Sequence, residues 1–218
     1  TVSLSSGSGT LSGSTEVAAS SGVADFAGNA ITYDVAESIQ LTYTASGVTS
    51  TTQSLTVNAG PPAKLALTTA ASGATGGTAF TTQPVVTIQD AGGNTVTSSN
   101  LVVTVSKTSG TGTLSGTTQE TASSGVANFA GNGVKYDVAE TIALTYTASG
   151  VSSTTQSLIV NVGPAAKLDL TTAASGATGG TPFSTQPVVT IQDAGGNTVT
   201  SSALVVTVSK SSGTGTLS

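Results

Sequence analysis

Shifted by 103 residues, the chain lies on itself. Residues 60–115 and 163–218, 56 each, differ at six positions; residues 1–59 and 104–162, 59 each, differ at sixteen. A repeat of this kind is one structural unit made several times over, since each copy must bury its own apolar side chains or stack them on a neighbour. About 100 residues is the size of one small β-sandwich, and is enough for a core without disulfide or metal staples. The stretch QPVVTIQDAGGNTV at residues 83–96 returns letter for letter at 186–199. It reads as a strand, a turn and the start of the next strand. The strand is short and rich in β-branched residues, with Pro84 at its start, where no ladder N–H is needed. Asp90, Gly92, Gly93 and Asn94 then supply turn chemistry.

The frame of the repeat divides the chain into residues 60–162, one complete repeat; residues 1–59, the C-terminal half of a repeat; and residues 163–218, the N-terminal half of another. Residues 1–12 and 207–218 cover the same twelve repeat positions. A half-sandwich leaves strand edges open, which proteins normally avoid. Two readings follow: a window cut from a longer array, or subunits that complete each other's half-domains end to end by strand donation. Both predict copies joined along a filament. The junctions, Asn58-Ala59-Gly60-Pro61-Pro62 and Asn161-Val162-Gly163-Pro164-Ala165, are short, and proline restricts itself and its neighbour, which favours a stiff rod.

Within the complete repeat, strands are expected at residues 64–68, 84–89, 95–98, 101–105, 111–115 (weaker), 125–129, 141–147 and 157–162, with a Gly-rich loop at 71–78 and Phe80 plugging the sandwich. Gly131-Asn132-Gly133 is a hairpin signal. Alternation puts Leu65, Leu67, Ile142, Leu144, Tyr146, Leu158, Val160 and Val162 inward. The two copies differ where alternation points outward: Gln40 stands opposite Ala143, Thr56 opposite Ile159 and Ala66 opposite Asp169. About seven or eight short strands with no helical period imply an all-β chain: tandem immunoglobulin-like antiparallel β-sandwiches.

Composition narrows the function classes. There is no Cys, Met, Trp, His or Arg. Thiolate and imidazole zinc ligands and the Ser-His and Cys-His nucleophile pairs are therefore absent. A net charge of −5 with five lysines argues against a phosphate-binding surface, so no nucleic-acid partner is expected. No apolar run approaches the ~20 residues of a membrane-spanning helix. A chain that opens on Thr1 without a leader reads as an excerpt or processed product, and targeting is not legible from it. Charged residues make up only 7%, but a mean hydropathy of +0.24 with regular alternation separates the chain from disordered linkers.

VTIQDAGGNTV at 86–96, GTLS at 112–115, GVA at 125–127 and LTYTA at 144–148 resemble the bacterial immunoglobulin-like repeats of invasin/intimin-type adhesins and of giant repetitive surface proteins. The resemblance covers the whole chain through its repeats. It implies tandem domains that project an adhesive tip from a cell or build a surface fibre. The expected function is a structural, non-catalytic segment of an extracellular or cell-surface fibre or adhesin stalk. The alternative is a calcium- or glycan-binding adhesion module.

The acidic residues are the side chains to weigh as a site. Asp90 with Asn94, and Asp193 with Asn197, sit in Gly-rich turns and are weak calcium candidates. Calcium takes about six to eight oxygens, however, and neither an EF-hand loop nor a Gly-Gly-x-Gly-x-Asp repeat is present. The simpler reading is a turn in which each side chain bonds nearby backbone. Asp34 with Glu37, and Asp137 with Glu140, lie three apart before a strand; a glycosidase-type carboxylate pair is conceivable there, but a solvated loop is the favoured reading. Neighbouring Tyr33 and Tyr136 read as packing residues. No catalytic residue, cofactor-binding residue or cofactor is assigned. The Ser- and Thr-rich outer face suits lateral contact between fibres or O-linked sugar.

Overall fold

A computed structural model describes residues 1–216. Leu217 and Ser218, which end the 163–218 segment and the shared stretch 207–218, lie outside the described residues. The described residues form strands and turns and no helix. The strands are β1 (Val2–Ser6), β2 (Leu11–Ser12), β3 (Thr32–Tyr33), β4 (Ser38–Tyr43) and β5 (Thr51–Thr56); then β6 (Lys64–Thr69), β7 (Ala74–Thr75), β8 (Val85–Gln89), β9 (Val102–Ser109), β10 (Leu114–Ser115), β11 (Gln119–Thr121), β12 (Val126–Asn128), β13 (Lys135–Tyr136), β14 (Thr141–Thr147) and β15 (Thr154–Asn161); and finally β16 (Lys167–Thr172) and β17 (Val188–Gln192).

Strands β6–β15 build a sandwich. One sheet has the order β11-β9-β14-β15-β7 and the other β12-β8-β6, with β10 and β13 as a separate pair. All pairings are antiparallel except β15 with β7. The inner faces meet in one core. Leu65, Val86, Ile88 and Val103 pack there with Phe129, Tyr136, Leu144 and Tyr146. Burying each such side chain contributes about 1.5–3 kcal/mol. Strand β14 shows the cause plainly: Ile142, Leu144 and Tyr146 are buried while Thr141 and Thr147 at its ends face water. Phe80 is buried in the same core. Pro84, also buried, accepts a bond from Phe129 N at its carbonyl. It therefore joins the strand start through its acceptor while lacking the donor.

Residues 1–59 carry a smaller cluster: Val2, Ile39 and Leu41 are buried, with Phe26, Tyr33 and Tyr43 only partly covered. The sheet beneath them has the order β1-β4-β5. In the last segment, β16 and β17 pair with each other alone.

The structure corrects four strand-level expectations. Val162 is 45% exposed rather than inward, because the ladder of β15 ends at Asn161 and the chain turns into the junction. Residues 95–98 form no strand; one bridge, Gln89 to Thr95, is all the pairing that stretch makes. Of residues 111–115 only Leu114 and Ser115 are extended. The Gly131-Asn132-Gly133 turn forms, with Asn132 N bonded to Phe129 O, but it does not make a hairpin. Its flanking strands part company: β12 pairs with β8, and β13 with β10. Core partners on separate sheets outweigh the local turn signal.

Candidate functional site at the repeat junctions

The Asp-Ala-Gly-Gly-Asn turn closes on itself. Asp90 N donates to Asn94 O at 2.9 Å and Gly93 N to Asp90 O at 3.2 Å. Gly93 has φ +99°, a conformation that costs glycine little. The Asp90 carboxylate then reaches the junction. Gly60 N donates to its Oδ2 at 2.8 Å and Asn94 N to its Oδ1 at 2.8 Å. Asn94 Nδ2 adds bonds of 3.3 and 3.0 Å to the same two oxygens. These donors hold the Asp90 carboxyl down at about 2, the Gly60 N–H first and the Asn94 side chain next.

Asn94 also crosses to the preceding repeat. Its Nδ2 donates to Asp34 O at 3.1 Å, and Ala36 N donates to its Oδ1 at 2.9 Å. The backbone N–H of Ala36 sets which end of the amide is oxygen. The same constellation returns 103 residues later. Gly163 N lies 2.8 Å from Asp193 Oδ2, Asn197 Nδ2 2.7 Å from Asp137 O, and Ala139 N 2.8 Å from Asn197 Oδ1. Asp193 is fully buried. Burial pushes its carboxyl up, but the Gly163 and Asn197 donors outweigh that and hold it below the usual range.

The second junction has a further wall. Gly76 N donates to Asn161 O and Gly77 N to Tyr136 O, which lays this glycine pair against the turn that follows the junction. A Cβ on Gly76 would strike Asn197 Nδ2, Asp193 Oδ2 and Asp137 O; one on Gly77 would strike Gly195 N. Only glycine lets the backbones approach so closely. At the first junction a Cβ on Gly92 would stand 3.2 Å from Asn94 Nδ2, 3.4 Å from Asp90 Oδ1 and 3.7 Å from Asp34 O.

The acid pairs serve a neighbouring loop. Tyr136 is fully buried, and its hydroxyl donates to Glu140 Oε1 at 2.6 Å and accepts Gly112 N. Glu140 also takes Thr111 N at 2.6 Å, and Asp137 Oδ1 takes Thr113 N at 2.6 Å. Burial, then the Glu140 bond, pushes the Tyr136 hydroxyl up to about 12. The Tyr136 and Thr111 donors hold the Glu140 carboxyl at about 2. Tyr33, Glu37, Ser8, Gly9 and Asp34 repeat the arrangement. Both carboxylates of each pair therefore pin the loop before β10, or before β2, onto the same Asp-Val-Ala-Glu segment that the junction asparagine grips from its other side.

The structure thus draws the four calcium candidates together in pairs, Asp90 with Asn94 and Asp193 with Asn197. Their oxygens face N–H groups. Among the described residues no three acidic side chains converge as a metal-binding group would. Sequence reasoning did not find Ala36, Ala139, Gly76 and Gly77, because they act through backbone groups. The visible trace was the letter-for-letter return of Asp-Val-Ala-Glu at 34–37 and 137–140.

No protein-family model matches the chain, and no curated protein sequence matches it. It is similar in structure to part of a β-glycosidase from Bacteroides vulgatus, at 14% identity and a TM-score of 0.36 over 56% of this chain and 17% of that one. It is also similar to part of a β-glucuronidase from Parabacteroides merdae, at 14% identity and a TM-score of 0.34, over 56% of this chain and 16% of the other. Domains 4–9 of the surface layer protein SbsC match at 21% identity and a TM-score of 0.33, over 78% of this chain and 26% of that one. The chain therefore spans about a quarter or less of each of these proteins. At these identities and scores the likeness assigns no activity.

Proposed function

We propose that the chain is a non-catalytic structural segment of an extracellular or cell-surface fibre or adhesin stalk. Its Ig-like repeats, of the kind that invasin/intimin-type adhesins carry, are locked end to end as a stiff rod. One observation supports this most: the junction asparagine bonds across the boundary in the same way twice, from Asn94 to Asp34 and Ala36 and from Asn197 to Asp137 and Ala139. Two directional bonds on one short side chain, beside a linker pinned by Asp90 or Asp193, resist bending and twisting in a way that a proline-containing linker alone does not.

Small-angle scattering tests the reading on the present chain and on versions lengthened by one and two 103-residue repeats. The maximum dimension should grow by a constant step per repeat. A step that shrinks with each added repeat would mean freely bending connectors and would end the proposal. Protease shaving and antibody labelling of intact source cells test the location.

A further inference from the structure

Asn132-Gly133 is the only Asn-Gly step in the sequence. Asn132 N donates to Phe129 O at 3.0 Å, and Asn132 O accepts Thr117 N at 2.9 Å. Its Nδ2 donates to Glu120 Oε2 at 2.8 Å. The turn follows β12 of one sheet, whereas Glu120 lies in β11 of the other, so Asn132 joins the two sheets at their edge. Gly133 is tied less tightly. Among the described residues its N–H has no acceptor, whereas the next one, Val134 N, is held by Gln83 Oε1 at 3.1 Å. Gly133 has φ +63°, and a Cβ added there would meet nothing within 4 Å. Both Asn132 and Gly133 are half-buried, so water reaches them.

We propose that Asn132 is a site of spontaneous covalent modification, where the side-chain amide becomes a carboxylate that is set against Glu120. The Gly133 nitrogen attacks Asn132 Cγ, and the new C–N bond closes a five-membered imide. The Cγ–Nδ2 bond breaks, and Nδ2 leaves as ammonia with the proton that Gly133 N gives up. Water then opens the imide at either carbonyl and returns an aspartate or an isoaspartate. The attacking and attacked atoms belong to adjacent residues, and glycine leaves the nitrogen uncrowded. The product changes the sheet edge. A carboxylate is an acceptor only, so the donor to Glu120 is lost and two negative groups face each other. The matching turn of the preceding repeat lacks this chemistry. There Asn29 precedes Ala30, whose methyl crowds the nitrogen, and Val17 stands where the complete repeat has Glu120. Asn29 Nδ2 donates instead to Ser14 O at 2.8 Å.

This goes beyond the rod reading and is independent of it. A rod in which Asn132 stays an amide would leave that reading standing and end this one.

Peptide mass spectrometry, after the folded chain has aged in mildly alkaline buffer, is the test, on wild type and on Gly133→Ala. Trypsin cuts after Lys107 and Lys135 and releases residues 108–135 as one peptide. In the wild type that peptide should gain one mass unit, placed at Asn132 by fragmentation, while Asn29 stays an amide. Gly133→Ala should convert at least tenfold more slowly. Ala30 stands at the matching position with φ +50°, so the repeat accepts alanine there. A second measurement reads the consequence. Asn132→Asp should melt below the wild type, and adding Glu120→Gln should recover most of that loss, a coupling that the double-mutant cycle isolates. An unchanged Asn132 in the aged wild type, equal conversion in Gly133→Ala, or a loss in Asn132→Asp that Glu120→Gln does not recover would each overturn the proposal.

Discussion

Asn197 donates its side-chain amide to Asp137 O at 2.7 Å and takes Ala139 N on its Oδ1 at 2.8 Å, so one side chain holds both a donor and an acceptor of the preceding repeat. Replacing it with alanine removes both bonds and leaves the Ala139 N–H and the Asp137 carbonyl in search of water. It also removes the Nδ2 bonds to Asp193. The expected cost is about 1–3 kcal/mol. Chemical denaturation should show that loss, and scattering should show a shorter maximum dimension as the junction bends. Asn197→Asp should be worse than alanine in the bent fraction, since it sets a second carboxylate beside buried Asp193.

Acid should loosen the junctions and the loops beside them together. The carboxyls of Asp90, Glu37 and Glu140 are each held at about 2 when folded. Unfolded, they return to the ordinary range near 4. A folded value below the unfolded one means that the stabilisation is fully present above about pH 4 and is lost as pH falls through about 2. The melting temperature should stay flat from neutrality to about pH 5 and drop steeply between about pH 4 and 2. Glu140→Gln should melt lower at neutral pH, having lost its charged acceptor for Tyr136 and Thr111, and should show a shallower acid slope. Melting curves across that range check both.

The sandwich was legible because its code is local: the large apolar side chains on alternate residues of β14, Ile142, Leu144 and Tyr146, already say which face is buried. The junction was only half legible. Asp90, Asn94, Asp193 and Asn197 stood out as oxygen-bearing side chains in Gly-rich turns, and bonds to nearby backbone were among the readings. What the turn faces was hidden, since Asp34 O, Ala36 N and Gly76 contribute backbone, and backbone groups leave no signature in composition. The failed hairpin at Gly131-Asn132-Gly133 makes the same point from another side. A turn signal describes four residues, while the partners of β12 and β13 are chosen by the whole core.

The two copies of one phenylalanine give an internal measure of how complete each core is. Phe129 is fully buried, and its loss to alanine should cost about 3–5 kcal/mol. Phe26, at the matching position, is only partly covered, so Phe26→Ala should cost clearly less in the isolated chain. Urea unfolding of the two variants gives the comparison. Equal losses would mean that the residues around Phe26 close a core as tight as the central one.

Calcium should leave the protein unmoved. A bound cation would need lone pairs directed at it, but Gly60 N, Asn94 N and Asn94 Nδ2 point hydrogens at both oxygens of Asp90, and Gly163 and Asn197 do the same at Asp193. Filling either site with metal would mean breaking the bonds that hold linker and turn together. Melting curves with excess chelator and with millimolar calcium should therefore superimpose. A rise of several degrees on adding calcium, reversed by chelator and lost in Asp193→Asn, would instead make these carboxylates metal ligands.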